Sequence, residues 1–143
     1  MSSTEEAAHE RLVRAADRVE IIEMLSRYHY AIDGRDWEAL ESIFTPDATA
    51  GYVRVAGGER SSSSVGPGVT AITEWLRSSL RPVETQHYMT NHVFIALDDE
   101  SATTNSYLSV RGTTTGGVYT GTHVRTDDGW RIQDLTLEQH FDA

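Results

Sequence analysis

The sequence predicts an α+β domain in which a curled antiparallel sheet wraps around N-terminal helices in a cone. Three observations carry that prediction. Apolar residues recur every three or four positions through the first third of the chain, the period of one helix face. Beyond Pro82 the period changes to two, the signature of half-buried strands. The apolar runs there are separated by "DDES", "TTGG" and "DDG", short turn clusters that join neighbouring strands into an antiparallel meander.

Taken in order, Ser3 to Asp33 reads as helix, with Ser3 and Glu6 in capping-box order and Gly34 ending it. Val19, Ile22, Leu25, Tyr28 or His29, and Ile32 form its expected buried stripe. Asp36 is placed to cap a short second helix through "WEALESIF", which Pro46 stops. "DATAGYVRV" then reads as a strand, and the Gly- and Ser-rich "AGGERSSSSVGPG" as a mobile surface loop that could serve as a pocket lid. A third helix, "VTAITEWLRSSL", ends before Pro82. Four strands follow, Thr85 to Leu97, Ala102 to Thr113, Val118 to Arg125 and Trp130 to Phe141. The last changes its apolar phase, which predicts a bulge near Gln133 and Asp134.

The 143 residues suit one domain, 1–143, with 1–14 a helical N-terminal extension. No apolar run is long enough to span a bilayer, so no membrane role is expected. The N-terminus lacks the pattern of a secretory or transit leader, and a cytoplasmic location follows by default. Absence of cysteine excludes disulfides, thiolate metal sites and a cysteine nucleophile. A formal net charge of -10 without any basic cluster argues against nucleic acid as a partner.

Candidate chemistry gathers at a few positions. Asp33 lies four residues after His29, so the two share a helix face and can touch; the same residue would also suit a simple turn start at "DGRD". In "ETQHYMTNH", strand alternation puts His87 and Asn91 on the face of Val93 and Ile95. A lone histidine there is usually a satisfied core residue, but two polar groups facing one way suggest the polar floor of a pocket for a small hydrophobic molecule. Tyr52 follows Ala48, Ala50 and Gly51 into the same hollow, where its hydroxyl could donate to a developing oxyanion. Tyr28, Tyr30 and Tyr119 compete for that task, each equally explicable as packing, and Trp75 reads as a core or rim aromatic. His29 and Asp33 have helical ligand spacing, but His87 and His92 differ by an odd number and should face opposite sides of a strand, so no metal is expected. No phosphate-cradling glycine loop and no GxSxG elbow occurs.

The segments "RYHYAIDGRDWEALESIFTPDATAGY", "TQHYMTNH" and "HVRTDDGWRI", in this order, resemble the SnoaL-like branch of the nuclear transport factor 2-like superfamily over Ala15 to Leu137. The resemblance implies a cystatin-like roll and, by its nearest functional pattern, the metal-free chemistry of scytalone dehydratase and the bile acid dehydratases. It gives Asp33, His87 and Tyr52 catalytic roles, with Asn91, Tyr28, Tyr30, Tyr119 and Trp75 around the substrate and no cofactor. It implies a dehydratase or isomerase acting on a carbonyl compound such as a polyketide or steroid, and a homodimer. Two departures stand out: the second histidine of scytalone dehydratase falls at Gly112, and the base aspartate of ketosteroid isomerase is replaced by Tyr52. The fold also hosts proteins without chemistry of their own, so a small-molecule-binding protein or accessory subunit is the alternative.

Overall fold

A computed structural model describes residues 1–80 and 84–141. Helix α1, Ser3–Asp33, starts at a capping box one residue earlier than the sequence suggests, with Ser2 accepting from the Glu5 amide and Glu5 accepting from that of Ser2. Its buried face is Ile21, Met24, Leu25, Tyr28 and Ile32, whereas Val19, expected in the stripe, is 68% exposed. The cause is Asp17. Its buried carboxylate takes Arg14, Arg125 and the Trp130 indole N–H, which turns that side of the helix inward. Val19, two residues or about 200° further round, is turned outward.

The expected second helix is a single stretch of 3-10 helix, Trp37–Ser42, and Asp36 makes no side-chain cap. Phe44 and Pro46 belong instead to strand β1, Phe44–Ala56. Pro46 is tolerated because the pairing of β1 is interrupted between Phe44 and Thr49, where its missing N–H costs no ladder bond. The Ser-rich segment is strand β2, Glu59–Val65, not a loop. Gly57 and Gly58 both have positive φ and make the two-residue turn that pairs Ala56 with Glu59. Helix α2, Val69–Ser79, buries Ile72 and Leu76, while its expected stop at Pro82 lies outside the described residues.

Strands β3, His87–Leu97, β4, Ser101–Val110, β5, Gly116–Thr126, and β6, Gly129–Phe141, form the predicted meander. The sheet order is β2-β1-β6-β5-β4-β3, and β1 runs parallel to β6, so the sheet is mixed rather than wholly antiparallel. It does not close, and β2 and β3 are its edges. Helix α1 lies against β3 and β6, and α2 against β1. The predicted bulge is at Gln133, where Thr122 pairs with Asp134 and His123 with Ile132. No helix among the described residues is long and apolar enough to cross a membrane.

A second bulge decides the site. Thr90 pairs with Tyr107 and Val93 with Asn105, so Asn91 and His92 together oppose Ser106. Asn91 has φ +57 and is exposed. Beyond it the alternation reverses: Val93 and Ile95 are 57% and 59% exposed, and His92 and Phe94 turn inward.

Candidate functional site

The last residue of α1 and the first of β3 meet at the sheet edge. Asp33 Oδ1 lies 2.5 Å from His87 Nδ1, and Oδ2 accepts the His87 backbone N–H at 2.9 Å. Thr85 Oγ1 donates to Oδ1 at 3.0 Å and itself receives Arg35 Nη1 at 3.2 Å. Both carboxylate oxygens are therefore engaged, and the imidazole is fixed in position and plane. With Nδ1 donating to Asp33, the neutral ring carries its lone pair on Nε2, which no group among the described residues hydrogen-bonds. A ring so oriented can accept a proton from a molecule beside it.

The two side chains are 9% and 19% exposed and open into a cavity of about 210 Å³ between α1 and the edge strand. Ser26, His29, Tyr30, Met89 and Thr90 complete much of its wall. The space expected as a conical hollow is packed nearby by aromatic rings: Tyr28 meets Phe44 edge-on at 5.6 Å and Tyr119 at 6.5 Å.

The remaining predicted residues separate into three groups. Tyr30 is 82% exposed at the groove mouth. Tyr28 and Tyr119 are buried behind His29, and the Tyr28 hydroxyl lies near those of Tyr119 and Tyr52. Tyr52 stacks on Trp75 with centroids 3.8 Å apart and planes at 11°. Its link to His87 thus runs through Tyr28, Tyr119 and His29. Burial pushes the Tyr28 phenol up to about 12 and those of Tyr52 and Tyr119 well above the ordinary range, so all three remain hydroxyl donors. Asn91 points to solvent, and the polar floor expected from His87 and Asn91 is made instead by His87 and His29.

His29 does not hydrogen-bond Asp33, as its spacing suggested, but pairs Nε2 with the Tyr119 hydroxyl at 3.1 Å. Its ring lies 5.2 Å from that of His87. Burial, then the neighbouring His87, push its pKa down to about 3, so it is a neutral imidazole. His92 also faces inward, with Nδ1 2.7 Å from Ser106 Oγ, and burial lowers its pKa too. The odd spacing of His87 and His92 therefore did not separate them onto opposite faces, because the bulge intervenes. No group of three or more potential ligands suited to a metal occurs among the described residues.

Helices over one face of a curled, unclosed sheet, with a polar groove at the edge, define a nuclear transport factor 2-like protein of cystatin-like fold. The chain belongs to the SnoaL-like domain family, whose model matches residues 13–136. An uncharacterized protein of Mycobacterium tuberculosis, Rv2910c, is 29% identical over 126 residues, covering 82% of this chain and 81% of its own. Among solved structures, a protein of Novosphingobium aromaticivorans described as NTF2-like with a cystatin-like fold is similar at a TM-score of 0.70, with 24% identity over 96% of this chain and 89% of that one. The hexachlorocyclohexane dehydrochlorinase LinA-type3 of Novosphingobium barchaimii is similar at a TM-score of 0.71, with 20% identity over 90% of each chain.

Proposed function

We propose that the protein is a cofactor-independent lyase or isomerase that removes a proton alpha to the carbonyl of a hydrophobic ring compound, of the polyketide or steroid kind. The observation that carries this reading is the two-point hold of Asp33 on His87, at 2.5 Å through the ring and 2.9 Å through the backbone. Nε2 is the base, Asp33 sets the tautomer and stabilises the imidazolium that forms, and His87 returns the proton to a leaving hydroxyl or to another carbon. Tyr28, Tyr52 and Tyr119, the hydroxyls expected at the developing oxyanion, lie behind His29 and act on an oxygen in the groove only through that ring. The fold likeness to a dehydrochlorinase is in keeping with an elimination.

The cavity of about 210 Å³ lies below the roughly 300 to 1,000 Å³ of most ligand pockets, so the substrate presents one ring to it rather than entering whole. That size, with aromatic packing behind it, favours a binding protein or accessory subunit as the second reading. Solvent exchange separates the two. Ring ketones incubated in D2O with the protein should gain deuterium at the alpha carbon, and His87→Ala should lower the rate by a hundredfold or more with the thermal melt unchanged. Exchange that persists in His87→Ala removes the base; no exchange across a panel of ring ketones favours the binding protein.

The reading includes a homodimer. On the outer face of β3 and β4, Tyr88, Val93, Ile95 and Tyr107 are 42%, 57%, 59% and 56% exposed, a cluster suited to a second copy. Sedimentation velocity should give a dimer for the native chain and a monomer for Ile95→Lys; a native monomer refutes this part.

A further inference from the structure

Within the site just proposed, one polar atom has no role yet. His29 Nδ1 is buried and has no hydrogen-bond partner among the described residues, while the residue is 4% exposed and its Nε2 is satisfied by Tyr119. An unmatched buried polar group costs about 1 to 3 kcal/mol, so such an atom calls for an explanation. Two facts of placement supply one. His29 lines the same groove as His87, ring to ring at 5.2 Å, and it is backed by the buried Tyr119 hydroxyl on its Nε2.

We propose that His29 is a second functional imidazole of the groove, carrying its proton on Nδ1 and donating it as a hydrogen bond to an oxygen of the molecule bound beside His87. The ligand chemistry this selects is a carbonyl or hydroxyl oxygen next to the carbon that faces His87 Nε2. The proposal rests on the groove being the binding site.

The tautomer follows from Tyr119. Its buried hydroxyl has one proton to give and hydrogen-bonds His29 Nε2, so the proton is donated there. Nε2 is then the acceptor, and the single proton of a neutral ring is on Nδ1. The ring is neutral wherever the dyad can work, because burial and His87 hold it uncharged. The ring itself lines the groove, so Nδ1 meets an oxygen held beside His87 by rotation about Cβ–Cγ, a motion that Nε2 and its Tyr119 partner must follow. His29 and His87 thus divide the work: one imidazole keeps its proton and binds oxygen, the other gives up its lone pair to a C–H.

The test reads the imidazole nitrogens directly, by long-range proton–nitrogen NMR on the full chain, with millimolar cyclohexanone as the probe. His29 should show a protonated Nδ1 and a bare Nε2 from pH 8 to 5, and Tyr119→Phe should move the proton to Nε2. Cyclohexanone should shift the His29 Nδ1–H downfield, and His29→Phe should weaken its binding about tenfold, the loss of one hydrogen bond. A native ring protonated on Nε2 overturns the proposal. So does a probe that moves His87 while leaving His29 unmoved, an outcome that keeps the groove as the site. If the probe moves neither ring, the inference and the binding site fall together. The Tyr119→Phe spectrum keeps the tautomer claim testable should His29→Phe not fold.

Discussion

Gly121 shows how closely single residues are constrained in the sheet interior. Its backbone lies against His123, so that a Cβ added there would be 2.6 Å from His123 Cε1 and 3.1 Å from Thr104 Oγ1. His123 has no exposure and Thr104 only 2%, and the two are hydrogen-bonded at 2.9 Å, so neither can give way without loss. Gly121→Ala should therefore destabilise the protein by about 1 to 3 kcal/mol through overpacking, read as a lower urea midpoint at constant m-value. A midpoint within error of the native one would mean that His123 is free to move. At this scale the sequence was partly readable. Asp33 and His87 stood out as separate polar groups, but their meeting across 54 positions rested on resemblance. His29 drew attention only for its spacing to Asp33, since nothing local in the sequence brings it to Tyr119, 90 residues away.

Elements were legible where a periodic pattern ran unbroken, and misread where one residue resets the pattern. Helix α1, helix α2 and the four-strand meander follow directly from periods of three to four and of two. The bulge in β6 was visible because apolar residues change phase there, whereas the two irregularities in β3, between Thr90 and Val93 and between Phe94 and Ala96, were not, because Val93, Ile95 and Leu97 read as one unbroken apolar alternation. In β3 the outward face is apolar too, so hydrophobicity could not report the flip. Likewise, serine composition made β2 look like a loop, although its paired strand and Gly57–Gly58 turn supply what a polar edge strand needs. The φ of +57 at Asn91 gives the bulge an energetic signature. Asn91→Gly should be close to neutral in stability. Asn91→Val should cost about 1 to 2 kcal/mol, since a β-branched residue is strained in the left-handed region. Thermal or urea unfolding checks this, and a Val variant as stable as the Gly variant would show that the bulge is not pinned at this residue.

The whole molecule combines a net charge of -10 with uncharged histidines in its interior, and its response to acid is where these meet. Burial pushes the His123 pKa down to about 4, while His29, through burial and the nearby His87, falls to about 3. In the unfolded chain both titrate near 6.5. As pH falls from about 6.5 towards about 4, the unfolded chain therefore binds protons that the folded one refuses, and stability declines by about 1.4 kcal/mol per pH unit for each ring. Asp17 acts in the same direction at lower pH. Burial raises its carboxyl, but the bonds from Arg125 and Trp130 and the charge of Arg125 outweigh this and lower it, so its contribution is lost as pH falls through its folded pKa. Neutralisation of surface carboxylates opposes both by relieving repulsion, but that effect acts between exposed charges and is screened by salt. The urea midpoint measured at about 0.15 M salt, the physiological ionic strength, should accordingly drop between pH 7 and 5. His123→Gln retains an amide for Thr104 and cannot take up the proton, and it should flatten that slope by about a third to a half, with His29 and His92 carrying the rest. An unchanged slope in this variant would locate the acid sensitivity elsewhere than in the buried rings.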